Sequence, residues 1–157
     1  MNYSFTEQIK EPNQRQAVEL CIAYAAKKGL ILQDVSNDRS WYDRGVDLIL
    51  YQENKQALID VKCDEQISKT GNIAFELIEI CGSNAYLKKG WAYSKIDYIF
   101  YVDWNNKINY LLPLGNLFEK AFSKPHKGFS AYHPVENYFT LGVLLPLNEL
   151  TFNKWNL

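Results

Sequence analysis

The sequence predicts an α/β domain over residues 1–157, with a central mixed β-sheet, a core hairpin in that sheet and helices packed against it. Three observations carry this reading. Residues 13–28 have helical apolar spacing, with Asn13 as an N-cap and Gly29 as a stop. Residues 45–63, GVDLILYQENKQALIDVKC, are two apolar-rich runs around the polar residues Gln52, Glu53, Asn54 and Lys55. Residues 97–102 (DYIFYV) and 107–112 (KINYLL) flank a turn of Asp103, Trp104, Asn105 and Asn106, which reads as a second hairpin.

Taken in order, residues 1–12 are a polar lead ending at Pro12. In the first helix, Val18, Ile22 and Ala25 mark one stripe, with Cys21 beside it. Residues 30–35 read as a short strand and residues 36–44 as a polar loop. Trp41 in that loop either stacks on a base or tucks onto the core, and Arg44 suits a phosphate. Residues 64–72 are polar and turn-like, and residues 73–80 read as a strand. Pro113 starts a helix over residues 114–122. Residues 123–134 read as a loop, and the apolar run 141–147 as a closing strand ending at Pro146. No repeat, low-complexity segment or linker divides the chain.

Composition bounds the function. Of the 157 residues, 47% are apolar, which is a globular content. The formal net charge of −1 excludes a generic polyanion binder. The charge is uneven, with nine basic and thirteen acidic side chains in residues 1–79 against eight and five in residues 80–157. Cys21, Cys63 and Cys81 are odd in number and widely spaced, and only two His exist. A zinc site is therefore not expected, and the thiols read as reduced ones of a cytoplasmic protein. MNYSFTEQIK has no cationic region followed by an apolar one, so no signal peptide is expected. No run of about 18 apolar residues is present, so no membrane span is expected either.

The first hairpin holds the candidate chemistry. A loop centred on Glu53 and Asn54 pairs Tyr51 with Gln56, and so Asp47 with Asp60. Directly paired side chains share a face, with Cβ atoms about 5 Å apart. Two carboxylates that close repel unless a cation lies between them, and Mg²⁺ is commonly held by one or two carboxylates plus water. Lys62 points to the same face, where it can orient a water or offset charge on a phosphate. The same charges also suit an exposed strand face. Glu76 has Ala74 and Ile78 as its neighbours on one strand face. It either reaches water at a strand edge or, buried, needs a partner or a metal.

Gly45-Val46-Asp47, a turn, then Asp60-Val61-Lys62 resembles the PD-(D/E)XK nucleases of the restriction-endonuclease-like fold, with Val46 where the name has proline. More loosely, residues 13–112 resemble phage-borne Holliday-junction-resolvase-like members. Lys69-Thr70-Gly71-Asn72, Glu76, Gly90-Trp91 and residues 94–98 (SKIDY) carry that wider likeness. The resemblance implies an Mg²⁺-dependent endonuclease, with Mn²⁺ able to substitute. The implied metal ligands are Asp47, Asp60 and Glu76, with Lys62 assisting. Glu19 on the first helix is a further acid of the kind that reaches the metal in this superfamily, or else a solvated helix-face residue. The implied partner is DNA, with branched or replicating DNA as the expected substrate, cut by a homodimer in the cytoplasm of a phage host. Residues 81–96 lack any acid and interleave Lys88, Lys89 and Lys95 with Tyr86, Trp91 and Tyr93. With Arg44 and Lys69, these lysines are the expected backbone contacts. The rivals are a non-catalytic nucleic-acid- or protein-binding module on the same fold, and an RNA-directed nuclease.

Overall fold

The computed structural model describes residues 12–81, 86–133 and 137–157. The first helix, α1, spans Pro12–Lys27. Its buried stripe is Ala17, Val18, Cys21 and Ala25, with Ile22 at the rim. Cys21 is thus a core residue, and burial pushes its thiol up to about 12, aided by the nearby Cys63. Residues 1–11 lie outside the described residues, and Asn13 is inside the helix, donating its amide N–H to Glu65 at 2.7 Å.

The chain then builds β1 (Ile31–Asp34), a short helix α2 (Arg39–Tyr42), β2 (Leu48–Gln52) and β3 (Lys55–Asp64). The loop expected at 36–44 therefore contains a helical turn, capped by Asp38 through the Ser40 N–H. After α3 (Ile67–Thr70) come β4 (Asn72–Cys81), β5 (Tyr86–Lys89) and a 3₁₀ turn at Trp91–Tyr93. The second hairpin is β6 (Tyr98–Asp103) and β7 (Ile108–Pro113), followed by α4 (Leu114–Ser123). The chain closes with β8 (Gly128–His133), β9 (Tyr138–Pro146), a 3₁₀ turn at Leu147–Glu149 and β10 (Asn153–Asn156). Three strands differ from expectation: β5 lies where no strand was expected, β8 lies where a loop was expected, and β10 follows the expected last strand.

Six strands form one sheet in the order β1-β2-β3-β6-β7-β10, and four form another in the order β5-β4-β9-β8. The first is mixed, as expected, because β3 and β6 run parallel while its other neighbours are antiparallel. Asp97 starts the parallel pair. Its N–H donates to the Leu58 carbonyl at 2.8 Å, and its carboxylate accepts the Leu58 N–H at 2.7 Å.

Period-2 alternation divides the six-stranded sheet into two dry faces. Leu48, Ile59, Val61, Phe100 and Val102 meet α1. Ile49, Ile99, Tyr101 and Leu112 face the other way, onto Ile73, Phe75 and Leu145 of the second sheet and onto Trp91 and Leu117. That second cover is mostly a sheet, whereas the sequence led to an expectation of helices. β4 finds its long partner in β9, and the pair satisfies each other's backbone groups.

Two glycines let this second sheet close tightly. A Cβ on Gly142 would lie 2.1 Å from the Phe75 carbonyl oxygen, and one on Gly90 would lie 2.4 Å from that of Glu76. Both contacts are with backbone, which cannot swing aside. Gly142→Ala is therefore expected to destabilise the protein by about 2–3 kcal/mol, the usual scale of overpacking. Urea unfolding measures it. A Gly142→Ala protein with a wild-type midpoint would contradict the packing.

Candidate active site

The β2–β3 register is the expected one: Tyr51 opposes Gln56, and Gln52 opposes Lys55 across a two-residue turn. The paired region ends at Leu48 and Ile59. Asp47 lies just beyond it, and its N–H still donates to the Ile59 carbonyl at 2.9 Å. Its side chain then takes over from the strand, with Oδ2 accepting the Val61 N–H at 2.9 Å. Gln14 of α1 continues the substitution. Its Oε1 accepts the Cys63 N–H at 3.0 Å, and its Nε2 donates to the Val61 carbonyl. Two side chains therefore stand in for the strand that β3 loses, bonding the backbone of Val61 and Cys63.

This arrangement brings together three of the expected residues. Asp47 and Asp60 are each 6% exposed. Lys62 Nζ lies 2.9 Å from Asp60 Oδ2. Burial pushes the Asp60 carboxyl up to about 7; Lys62 opposes the rise, and the adjoining Asp47 carboxyl adds to it. For Lys62, burial works to lower the pKa, but Asp60 and then Glu76 outweigh it, and the ammonium is held above its ordinary value. The Lys62 ammonium is also 5.9 Å from the centre of the Trp91 ring.

Glu76 arrives from the second sheet. It is opposite Gly142 in β9, at the edge of a β-bulge between Glu76 and Ile78. Burial raises its carboxyl, as does Glu79, while Lys62 and His133 pull it down. Glu76 is thus the third acid coupled to Lys62. It is not packed onto the aspartates, however. Among the described residues, no group of three or more His, Cys, Asp or Glu is already arranged to hold a metal ion. The expected ligand trio of Asp47, Asp60 and Glu76 is therefore a close aspartate pair plus an acid that interacts with Lys62 by charge.

Glu19 does not join them by any contact of its own. It is exposed and bonded to Arg15 at 3.1 Å, on a helix that packs against Ile59 and Val61 rather than the face carrying Asp60. Its solvated helix-face alternative is the one seen. Two residues passed over in the sequence also shape the site. Gln14 looks like any polar helix residue. Tyr101, opposite Lys62 in the parallel pair, donates its hydroxyl to Asp64 at 2.6 Å and accepts the Ala74 N–H at 3.2 Å. It thereby ties β4 to the six-stranded sheet two residues before Glu76. No sequence pattern separates Tyr101 from the other aromatic residues of its strand.

The expected basic residues flank this centre unevenly. Arg44 stacks on Trp41 at 4.5 Å, and Trp41 packs on the core, as its second alternative had it. A Cβ at Gly45 would touch Ser94 at 3.9 Å, which puts the Arg44 loop beside exposed Lys95. Lys89 lies 5.7 Å from the Tyr93 ring centre. Lys88 is paired with Glu79 at 3.4 Å, and Lys69 is exposed at the end of α3.

A solved structure has a similar fold. It is the bacterial homing endonuclease I-Ssp6803I, with a TM-score of 0.53, 19% sequence identity, and coverage of 70% of this chain and 72% of that one. Neither a protein-family model nor a curated protein matches the chain.

The raised Asp60 pKa has a consequence for stability. A carboxyl whose folded pKa lies above its unfolded value favours the folded state most below the unfolded value, and that benefit is lost as pH rises through the folded one. For Asp60 the window runs from 3.8 to about 7. Without divalent cations, Asp60→Asn is expected to be more stable than wild type above that window, with the gap closing as pH falls toward 4. Thermal melts across the range check this, and a gap that widens toward acid would contradict it.

Proposed function

We propose that the protein is a metal-dependent DNA endonuclease of the PD-(D/E)XK kind. The observation that carries this reading is the buried Asp47–Asp60 pair with Lys62 at 2.9 Å from Asp60, on a fold similar to that of a homing endonuclease. Two adjoining carboxyls, one pushed up to about 7 by burial, are a site whose charge a divalent cation would relieve. Asp47 and Asp60 would hold Mg²⁺ or Mn²⁺, with Glu76 adding negative charge near Lys62. Such an ion, when bound, supplies Lewis-acid stabilisation of a phosphate and a more acidic water.

The remaining work falls to the chain itself. Lys62 is an ammonium held by Asp60 and further favoured by the charge of Glu76, with its side chain 34% exposed. It can meet a phosphate oxygen and stabilise charge that grows in the transition state. Trp91 shields one side of it from water. Arg44, Lys89 and Lys95 would hold the flanking backbone by charge, with Lys69 farther out. Lys88 contributes less, because Glu79 already neutralises it. Branched DNA as substrate and a homodimer as the working form complete the proposal. Paired cuts on two strands need two such sites.

Two measurements test it. Asp60→Ala and Asp47→Asn should lose Mn²⁺ binding by calorimetry together with cleavage. Lys62→Ala should keep metal and DNA binding yet lose about a hundredfold or more in single-turnover rate, the scale of removing one transition-state donor. A folded Lys62→Ala protein that cuts at the wild-type rate would overturn the assignment.

The basic residues give the other test. Replacing Lys89 and Lys95 by Ala should weaken duplex binding and reduce the log–log salt slope by about 0.9 per lost contact. Adding Lys88→Ala should change the slope less. Equal slopes for wild type and the double variant would reject these contacts.

A further inference from the structure

We infer that the exposed aromatic strip formed by Tyr93, Phe118 and Phe122, with Lys89 beside it, binds unpaired DNA bases next to the candidate active site. The inference rests on the nuclease reading above and adds the form of DNA that this surface accepts.

Helix α4 already has its core face in Leu114, Leu117 and Ala121. Phe118 and Phe122 lie off that face, one turn apart, and are 37% and 58% exposed. Their rings approach to 4.8 Å between centroids, and Phe118 meets Tyr93 edge-on at 5.5 Å. Tyr93 is itself 42% exposed. The strip is continuous with the site, because Tyr93 ends the same three-residue 3₁₀ turn that starts with Trp91, the ring near Lys62. An exposed apolar patch of this kind marks an interaction surface.

Charge indicates the occupant. Lys89 lies over Tyr93, and Lys95 is exposed two residues beyond it. Lys120 and Lys124, on and just after α4, are both paired with Glu149, and Glu119 is the exposed acid of the helix. Rings for base faces with ammonium groups for phosphates are how single strands are bound without sequence preference. A duplex hides its base faces in the stack, so this surface discriminates in favour of unpaired bases.

The test uses the full chain with fluorescent oligothymidylate and a blunt duplex as the two probes, binding being measured without divalent cations and cleavage with Mg²⁺. Phe122→Ala should bind oligothymidylate about tenfold more weakly, the scale of one lost stacking contact. Its duplex affinity, duplex cleavage and salt slope should stay at wild-type values, since no phosphate contact is removed. Phe122→Tyr should restore single-strand binding. Phe118→Ala combined with Phe122→Ala should extend the loss. If that pair melts early, Phe122→Ala decides alone. Unchanged oligothymidylate binding, or equal loss on both probes, would overturn the strip. So would a variant that changes only self-association in sedimentation, which would make the rings a contact between copies. A wild-type protein that neither binds nor cuts either probe would instead sink the nuclease reading itself.

Discussion

The centre of this structure depends on a side chain taking the place of a strand. Where β2 stops at Leu48, the Asp47 carboxylate accepts the Val61 N–H that would otherwise need a backbone partner. That bond offsets part of the cost of burying Asp47, because a buried polar group with a hydrogen-bond partner costs far less than one without. Gln14 secures the next stretch from α1. The segment carrying Asp60 and Lys62 is thus held by side chains on one flank and by β6 on the other. Remove Asp47 and both the carboxyl pair and the termination of the hairpin change together.

The charges around that segment follow from the two-sheet packing. Asp60 and Lys62 share the face that the second sheet covers, where Asp60 is buried and the Lys62 side chain stays partly exposed. Burial raises the carboxyls of Asp60 and Glu76, and their attraction holds Lys62 charged. Asp47, Asp60 and Glu76 all act to keep Lys62 charged.

Much of this was legible in the sequence, for identifiable reasons. A period-2 pattern around a polar turn fixes a hairpin, and counting outward from Glu53 and Asn54 puts Asp47 next to Asp60. Parity cannot reveal that Asp47 ends the strand, because alternation describes where side chains point and not which group takes a backbone N–H. Glu19 illustrates a different limit. The apolar stripe of α1 has to meet Ile59 and Val61, which commits the helix to the face away from Asp60. The second sheet was harder still. GFSAYH in β8 has one-sided burial and few large apolar residues, so only pairing with β9 makes it a strand. NKWN in β10 is anchored by Trp155, which packs on Tyr24 and Phe100.

The pairing of Glu76 with Gly142 also sets the order in which a working centre can appear. Asp47, Asp60 and Lys62 come from one local hairpin, which closes over a two-residue turn. Glu76 is held from β9, near the end of the chain, and Gln14 reaches β3 from its beginning. Contacts so distant in sequence carry a large loop-closure cost and form slowly. During synthesis the aspartates and the lysine meet early, while the strand that fixes Glu76 is still absent. Completion therefore waits for almost the whole chain, and a fragment ending before β9 keeps Glu76 but not the strand that pairs with it.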